Sequence, residues 1–242
     1  MRVTGSVRSE SGSVLVTQSG LDGREWLELG NQSELVVRHG ASARELSLHG
    51  PGRFLPCRAG LEQVLIASGS FHSSPGTGVR PGAEVWVATP FGALRYADAN
   101  IELSVERGSL KVAVLGGQAF SEAADGLRGG REGRLVGPNG RASAQGKPDA
   151  AALVLACERA ARAAEDSARQ LLGAKPGELG RLAAVQLRSR RVARGRCLVA
   201  EAGVAQLEDA ASKSRLGDQV KQFGALWQGL PTPGGEGPAP GH

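Results

Sequence analysis

Gly82-Ala-Glu-Val-Trp-Val-Ala-Thr-Pro-Phe-Gly92, Ala93-Leu-Arg-Tyr-Ala-Asp-Ala-Asn-Ile-Glu-Leu-Ser-Val105, Glu106-Arg-Gly-Ser109 and Leu110-Lys-Val-Ala-Val-Leu-Gly-Gly-Gln-Ala-Phe120 form the continuous stretch that decides the fold. Within it Val85/Val87, Leu94/Tyr96, Ile101/Leu103/Val105 and Leu110/Val112/Val114 alternate with period two. Each segment therefore reads as a strand with one buried face. Gly, Pro, Asp and Asn fill the gaps between them. Short strands recurring about every 8–12 residues predict an all-β solenoid, barrel or sandwich.

The pattern extends upstream. Val3 to Val16 reads as two strands around Ser9-Glu-Ser-Gly12, followed by Trp26-Leu-Glu-Leu29 and Leu35-Val-Val37. Leu46 and Leu48 alternate before His49-Gly-Pro-Gly52, which reads as a breaker, and Val64/Ile66 as a strand closed by Gly69. Ser73 to Gly82 is a long Gly/Pro loop that reads either as a candidate contact surface or as a mobile excursion between strands. Aromatic residues are only 4% of the chain, so its core has to come from Val, Leu, Ile and Ala. Its 36 glycines suit a fold with many tight turns.

A strand ending in Thr89-Pro90, a polar turn, an alternating strand and the returning pair Gly108 to Gly117 resemble, in that order, the core of FecR-type domains. The resemblance covers about Val3 to Phe120. The family often has Arg-Gly-Thr after the Thr-Pro strand, where this chain has Arg95-Tyr-Ala-Asp98-Ala-Asn100. The resemblance implies a non-catalytic periplasmic module, the best-known members of which relay a cell-surface signal to an anti-sigma region. It also implies a protein partner in the cell envelope.

Composition shifts after Ser121, and a domain boundary is expected near Gly146-Lys-Pro148. Residues 1–146 are expected to form the β domain, 147–230 an α-helical hairpin region, and 231–242 a disordered Pro/Gly-rich tail. Pro148-Asp149 supplies a helix start. Leu153, Cys157, Ala160, Ala164 and Leu171 share one face of helix one, which Gly173-Ala-Lys-Pro-Gly177 ends. Leu182, Val185, Ser189, Val192, Leu207 and Ala211 mark the expected face of helix two. A third helical piece, Leu216 to Trp227, carries Val220, Phe223 and Trp227 together. The fold class is thus mainly β followed by α: a twisted solenoid- or sandwich-like domain of short strands, then an antiparallel helical hairpin.

Cys157 and Cys197 lie at similar levels in such a hairpin, among small neighbours, and read either as a disulfide or as two small buried hydrophobes. A disulfide implies an oxidising compartment. Cys57 is left over and reads as a strand thiol or as an intermolecular partner. Arg188, Arg190, Arg191, Arg194 and Arg196 form the densest charge run, and the first four share one broad side of helix two. They read either as a partner-binding surface or as a solvated face paired with Glu158, Glu165 and Asp166. No aromatic residue accompanies them for base stacking, which disfavours nucleic acid.

His39, His49, His72 and Cys57 show no metal-ligand spacing, so no metal is expected. Neither Ser70-Phe-His72 nor Asp98 lies in a nucleophile elbow, and Gly76-Thr-Gly78 lacks the helix that a phosphate loop needs. Glu102/Glu106 are a formal carboxylate pair that reads as outer-face charge. The expectation is a non-enzymatic module with no cofactor that binds and scaffolds in the cell envelope. The alternatives are a basic polymer-binding protein acting on peptidoglycan, nucleic acid or anionic lipid through Arg188 to Arg196, and a small hydrolase. The net charge of +5 reads either as an ordinary arginine-rich solvated surface or as suited to an acidic partner.

Met1-Arg-Val-Thr-Gly-Ser-Val7 has no apolar signal core and enters the strand pattern at once. The expected location is the periplasm or envelope, with an export signal or membrane anchor upstream of this stretch. The alternative is cytoplasmic.

Overall fold

A computed structural model describes residues 2–12, 25–38, 44–56, 63–75, 84–122 and 137–229. They divide into two compact units, Met1–Pro148 and Asp149–His242. His39, Cys57, most of the Ser73 to Gly82 loop and the Pro/Gly-rich tail lie outside the described residues.

The first unit contains β1 (Arg2–Thr4), β2 (Val7–Ser9), β3 (Leu27–Leu29), β4 (Glu34–Arg38), β5 (Glu45–Pro56), β6 (Gln63–Ser74), β7 (Val85–Thr89), β8 (Gly92–Tyr96), β9 (Asn100–Glu106), β10 (Ser109–Gly116), β11 (Phe120–Glu122) and β12 (Gly140–Gln145). The spine is the antiparallel pair β5–β6, each strand 12 residues long. The first half of β5 and the second half of β6 belong to the order β1-β4-β5-β6-β9-β10-β12. Their other halves belong to β2-β3-β5-β6-β7-β8-β11. One bent hairpin therefore serves two layers, and the unit is an open two-layer sandwich. Every described strand pairing is antiparallel except β6–β7. That places the fold on the sandwich side of the expectation, since a solenoid stacks its coils in parallel.

The bend falls at two places read from the sequence as strand ends. His49-Gly-Pro-Gly52 does not break the strand, and Gly69 does not close one: both β5 and β6 run through. The ladder shifts register between His49 and Arg53, where the chain turns from one layer into the other. Gly69 has φ +105°, and a Cβ there would lie 2.4 Å from the Phe54 ring and 3.0 Å from the His49 carbonyl oxygen. At Gly50 a Cβ would lie 2.1 Å from the Gly30 carbonyl oxygen. Breaker residues act here as a hinge because neighbouring strands on both sides hold the ladder together.

The inward faces bury one apolar cluster: Leu46, Leu48, Phe71, Ile101, Leu103, Val105, Leu110, Val112 and Val114 from one layer, with Leu27, Phe54, Ile66, Val85, Val87, Leu94 and Tyr96 from the other. Each large aliphatic side chain so buried contributes about 1.5–3 kcal/mol. Arg44, fully buried, lays its guanidinium 5.2 Å from the Tyr96 ring centroid and donates to the Ala99 carbonyl. In β7 every residue is buried, as in a strand covered on both faces.

The Thr-Pro marker has a structural reason. Thr89 is buried at the β7–β8 turn, where its hydroxyl accepts from the Phe91 N–H at 3.2 Å and donates to the Gly92 carbonyl at 3.1 Å. Replacing Thr89 by Val keeps the volume and removes both hydrogen bonds. We expect a loss of about 1–2 kcal/mol in denaturant unfolding; no change in midpoint would show that the hydroxyl is dispensable to the turn.

The described residues of the second unit form three α-helices, α1 (Ala150–Leu172), α2 (Leu179–Ala205) and α3 (Ala210–Gln228), each packed against the other two. The Asp149 carboxylate caps α1 by accepting from the Ala151 and Ala152 N–H groups. Asp209 caps α3 by accepting from the Ser212 N–H at 2.8 Å. Hydrogen bonding to Ser212 holds the Asp209 carboxyl below its ordinary pKa. That cap ends the helix-two reading early: α2 stops at Ala205, and Ala211 belongs to α3.

The buried stripe of α2 also differs from the expected one. It runs through Gln186, Ala193, Cys197, Ala200 and Val204, while Val185 is exposed. Small residues win this face because α1 and α2 approach closely. Cys157 and Cys197 are disulfide-bonded with Cα atoms 4.5 Å apart. At Gly203 a Cβ would lie 2.5 Å from Leu153 Cδ1. Leu216, Val220, Phe223 and Trp227 of α3 complete this core.

Candidate functional site

The outer face of β5, β6, β9, β10 and β12 carries a lattice fixed by register. Ser47, His72, Glu102, Ala113 and Arg141 face one another in one row, and His49, Ser70, Ser104, Lys111 and Ser143 in the next. Period-two alternation turns all ten away from the apolar core. Small side chains at Ser70, Ser104, Ala113 and Ser143 leave a depression of about 610 Å³, rimmed by His72, Glu102, Lys111 and Arg141. A second depression of about 670 Å³ at the spine bend shares His49, Ser70 and Ser104 with it. The two form one trough.

His72 Nε2 and Asn100 Oδ1 are hydrogen-bonded at 2.8 Å, which fixes the ring at one wall. His49 lies 4.0 Å from Glu34, its partner on β4. The rim thus offers an acid, two cations and a histidine around hydroxyl groups. Such a surface matches a polar ligand with both donors and acceptors, such as an extended peptide segment.

The hydrolase alternative needs a hydroxyl within about 2.6–3.2 Å of its base. Ser70 and His72 are two residues apart on one strand, about 7 Å along it, and the hydrogen bond shown for His72 is to Asn100. Glu102 and Glu106 stand on one exposed face of β9, about 13 Å apart along the strand. Glycosidase carboxylates are about 5–9.5 Å apart. Of the metal candidates, His49 and His72 are in the trough; His39 and Cys57 lie outside the described residues. Among the described residues no group of three His, Cys, Asp or Glu side chains converges.

The arginine run is divided by the helix packing. Arg188 and Arg191 are exposed, whereas Arg190, Arg194 and Arg196 are half-buried. Arg194 sets its guanidinium 5.8 Å from the Trp227 ring centroid, a cation–π contact within the helical unit. Burial lowers the pKa of Arg190 below its ordinary value. The four residues read as one broad side thus include two that turn toward the helical core. Glu158 binds Arg162, and Glu165 and Asp166 bind Arg169, all within α1. At one turn's spacing these pairs form locally.

Sequence reasoning singled out His72 and Glu102 separately but missed the trough. Its β12 wall, Gly140–Gln145, falls in the stretch from Ser121 to Lys147 that reads as a polar connection with room for one last hairpin, because the core-facing residues of β12 are only Ala142 and Ala144. Their alternation with Arg141 and Ser143 was the available signal.

No protein-family model matches the chain, and no curated protein matches it. Among solved structures, a crystal structure of a candidate anti-sigma factor from Parabacteroides distasonis is similar at 12% identity and a TM-score of 0.38. The similarity covers 54% of this chain and 64% of that one, so the chain spans less than two thirds of that protein's crystallised length.

Proposed function

We propose that the β unit is a FecR-type binding module and that the chain is a non-enzymatic scaffold of the cell envelope, with signal relay as its setting. The trough is the observation that carries this reading. Its walls are side chains on five hydrogen-bonded strands, so it is rigid, and its shallow floor of small side chains within a charged rim suits gripping a segment of another protein. The Cys157–Cys197 disulfide supports an oxidising compartment such as the periplasm.

Both parts of the proposal are tested in the native host. A photo-crosslinking residue at Ala113, on the trough floor, is expected to capture an envelope protein. The same group at Asp98, exposed between β8 and β9 and outside both depressions, is not. Thiol alkylation of intact cells is expected to leave Cys157 and Cys197 unmodified. Labelling of both cysteines together with a cytoplasmic fraction would overturn the envelope assignment. Equal capture from Ala113 and Asp98 would overturn the trough.

A further inference from the structure

The described residues include six large apolar side chains that stand well out in solvent: Leu115, Leu155, Leu172, Leu179, Val185 and Leu187. Four of these gather at one place. Leu172 is 77% exposed and Leu179 46%, and Val185 and Leu187 follow on the first turns of α2. Because α1 ends at Leu172 and α2 begins at Leu179, Leu172 and Leu179 stand at the closed end of the hairpin, and Val185 and Leu187 lie about 9 and 12 Å further along α2. That end lies about 22 Å beyond the disulfide, at 1.5 Å per helical residue.

The same end is basic. From Gln170 to Arg191 the chain carries Lys175, Arg181, Arg188, Arg190 and Arg191 against one acid, Glu178. Lys175, Arg181, Arg188 and Arg191 are exposed. On α2 the exposed side runs from Leu187 through Arg191, Arg188 and Arg181 to Val185, so apolar side chains flank an arginine stripe.

We propose that this hairpin end docks on an anionic phospholipid bilayer, with its leucines below the headgroups and its cations at the phosphates. An acidic protein or polymer accounts for the cations but leaves the leucines in water. Nucleic acid does the same, and no aromatic residue stands between Gln170 and Arg191 to stack on a base. A bilayer interface takes both chemistries in one layer: apolar side chains enter the acyl boundary, and the long stems of Arg and Lys reach back to the phosphates. No described helix is long and apolar enough to cross a membrane, so the contact lies in the interface plane. The inference concerns the helical unit and does not depend on what the trough binds.

Flotation of the full chain with vesicles gives the test. Vesicles of phosphatidylcholine mixed with phosphatidylglycerol are expected to carry the protein, and vesicles of phosphatidylcholine alone are not. Arg181→Gln with Arg188→Gln is expected to weaken binding roughly 25-fold, about five-fold for each cation. Leu172→Ser with Leu179→Ser is expected to weaken it about ten-fold or more. The substituted side chains are exposed, and unchanged circular dichroism shows that each variant is folded. Three results overturn the proposal: no flotation with the anionic vesicles, equal flotation with neutral ones, or undiminished binding of the leucine variant. The last, together with capture of polyglutamate or DNA, would assign the surface to an acidic macromolecule.

Discussion

Reducing the Cys157–Cys197 disulfide, or replacing both cysteines by serine, is expected to lower the stability of the helical unit by about 4 kcal/mol. The bond closes a loop of 40 residues, and the chain-entropy relation for a loop of that length gives about that value. The helical core has little with which to compensate. Its buried α1 positions include Ala150, Ala161, Ala164 and Ala168, and those of α2 include Ala193 and Ala200. Alanine removes far less apolar area from water than leucine, so this interface gains less from burial than from close approach. Thermal unfolding followed by the helical circular-dichroism signal, with and without reductant, measures the effect. A loss below about 1 kcal/mol would mean that the reduced, unfolded chain already holds these two positions together.

The second large effect is expected at the bend of the spine. Gly69→Ala should cost about 3 kcal/mol or more, from a side chain at positive φ and from the clash with Phe54 and the His49 backbone. The buried Phe54 ring is held by the core on its other sides, so it has nowhere to yield. Gly203→Ala is the control. There the added Cβ meets only Leu153, the nearest atom being at the free end of that side chain, and the gain in helix propensity offsets part of the contact. Urea unfolding should separate the two variants by at least about 2 kcal/mol. Equal stabilities would remove the bend as the point on which the two layers depend.

The legibility of the candidate site was uneven for identifiable reasons. Glu102, Lys111 and Ser104 could be assigned to an outer face from the alternation of Ile101, Leu103, Val105, Leu110 and Val112. Their rows could not be assigned, because which residue faces which depends on register across strands far apart in sequence. His72 meets Glu102, and Ala113 meets Arg141, only after the ladder is built. The arginine run shows the same limit on a helix. Spacing placed Arg188, Arg190, Arg191 and Arg194 on one broad side, but Trp227, more than thirty residues later, is what stacks with Arg194.

The sequence by itself determined the strand-then-helix order, the inward residues of the central strands, the start of α1 at Asp149 and the nearness of Cys157 to Cys197. These are properties of local period, capping and chain length, and a side chain's nearest neighbours suffice to set them. Only the tertiary structure decided that Gly50, Pro51, Gly52 and Gly69 bend a strand pair that continues through them. It likewise decided that Ala193 and Cys197, not Val185, face the helical core. In both cases local preference was outweighed by packing: a glycine ends a strand only where no neighbour holds the ladder, and an apolar residue is buried only where the partner helix leaves room for it.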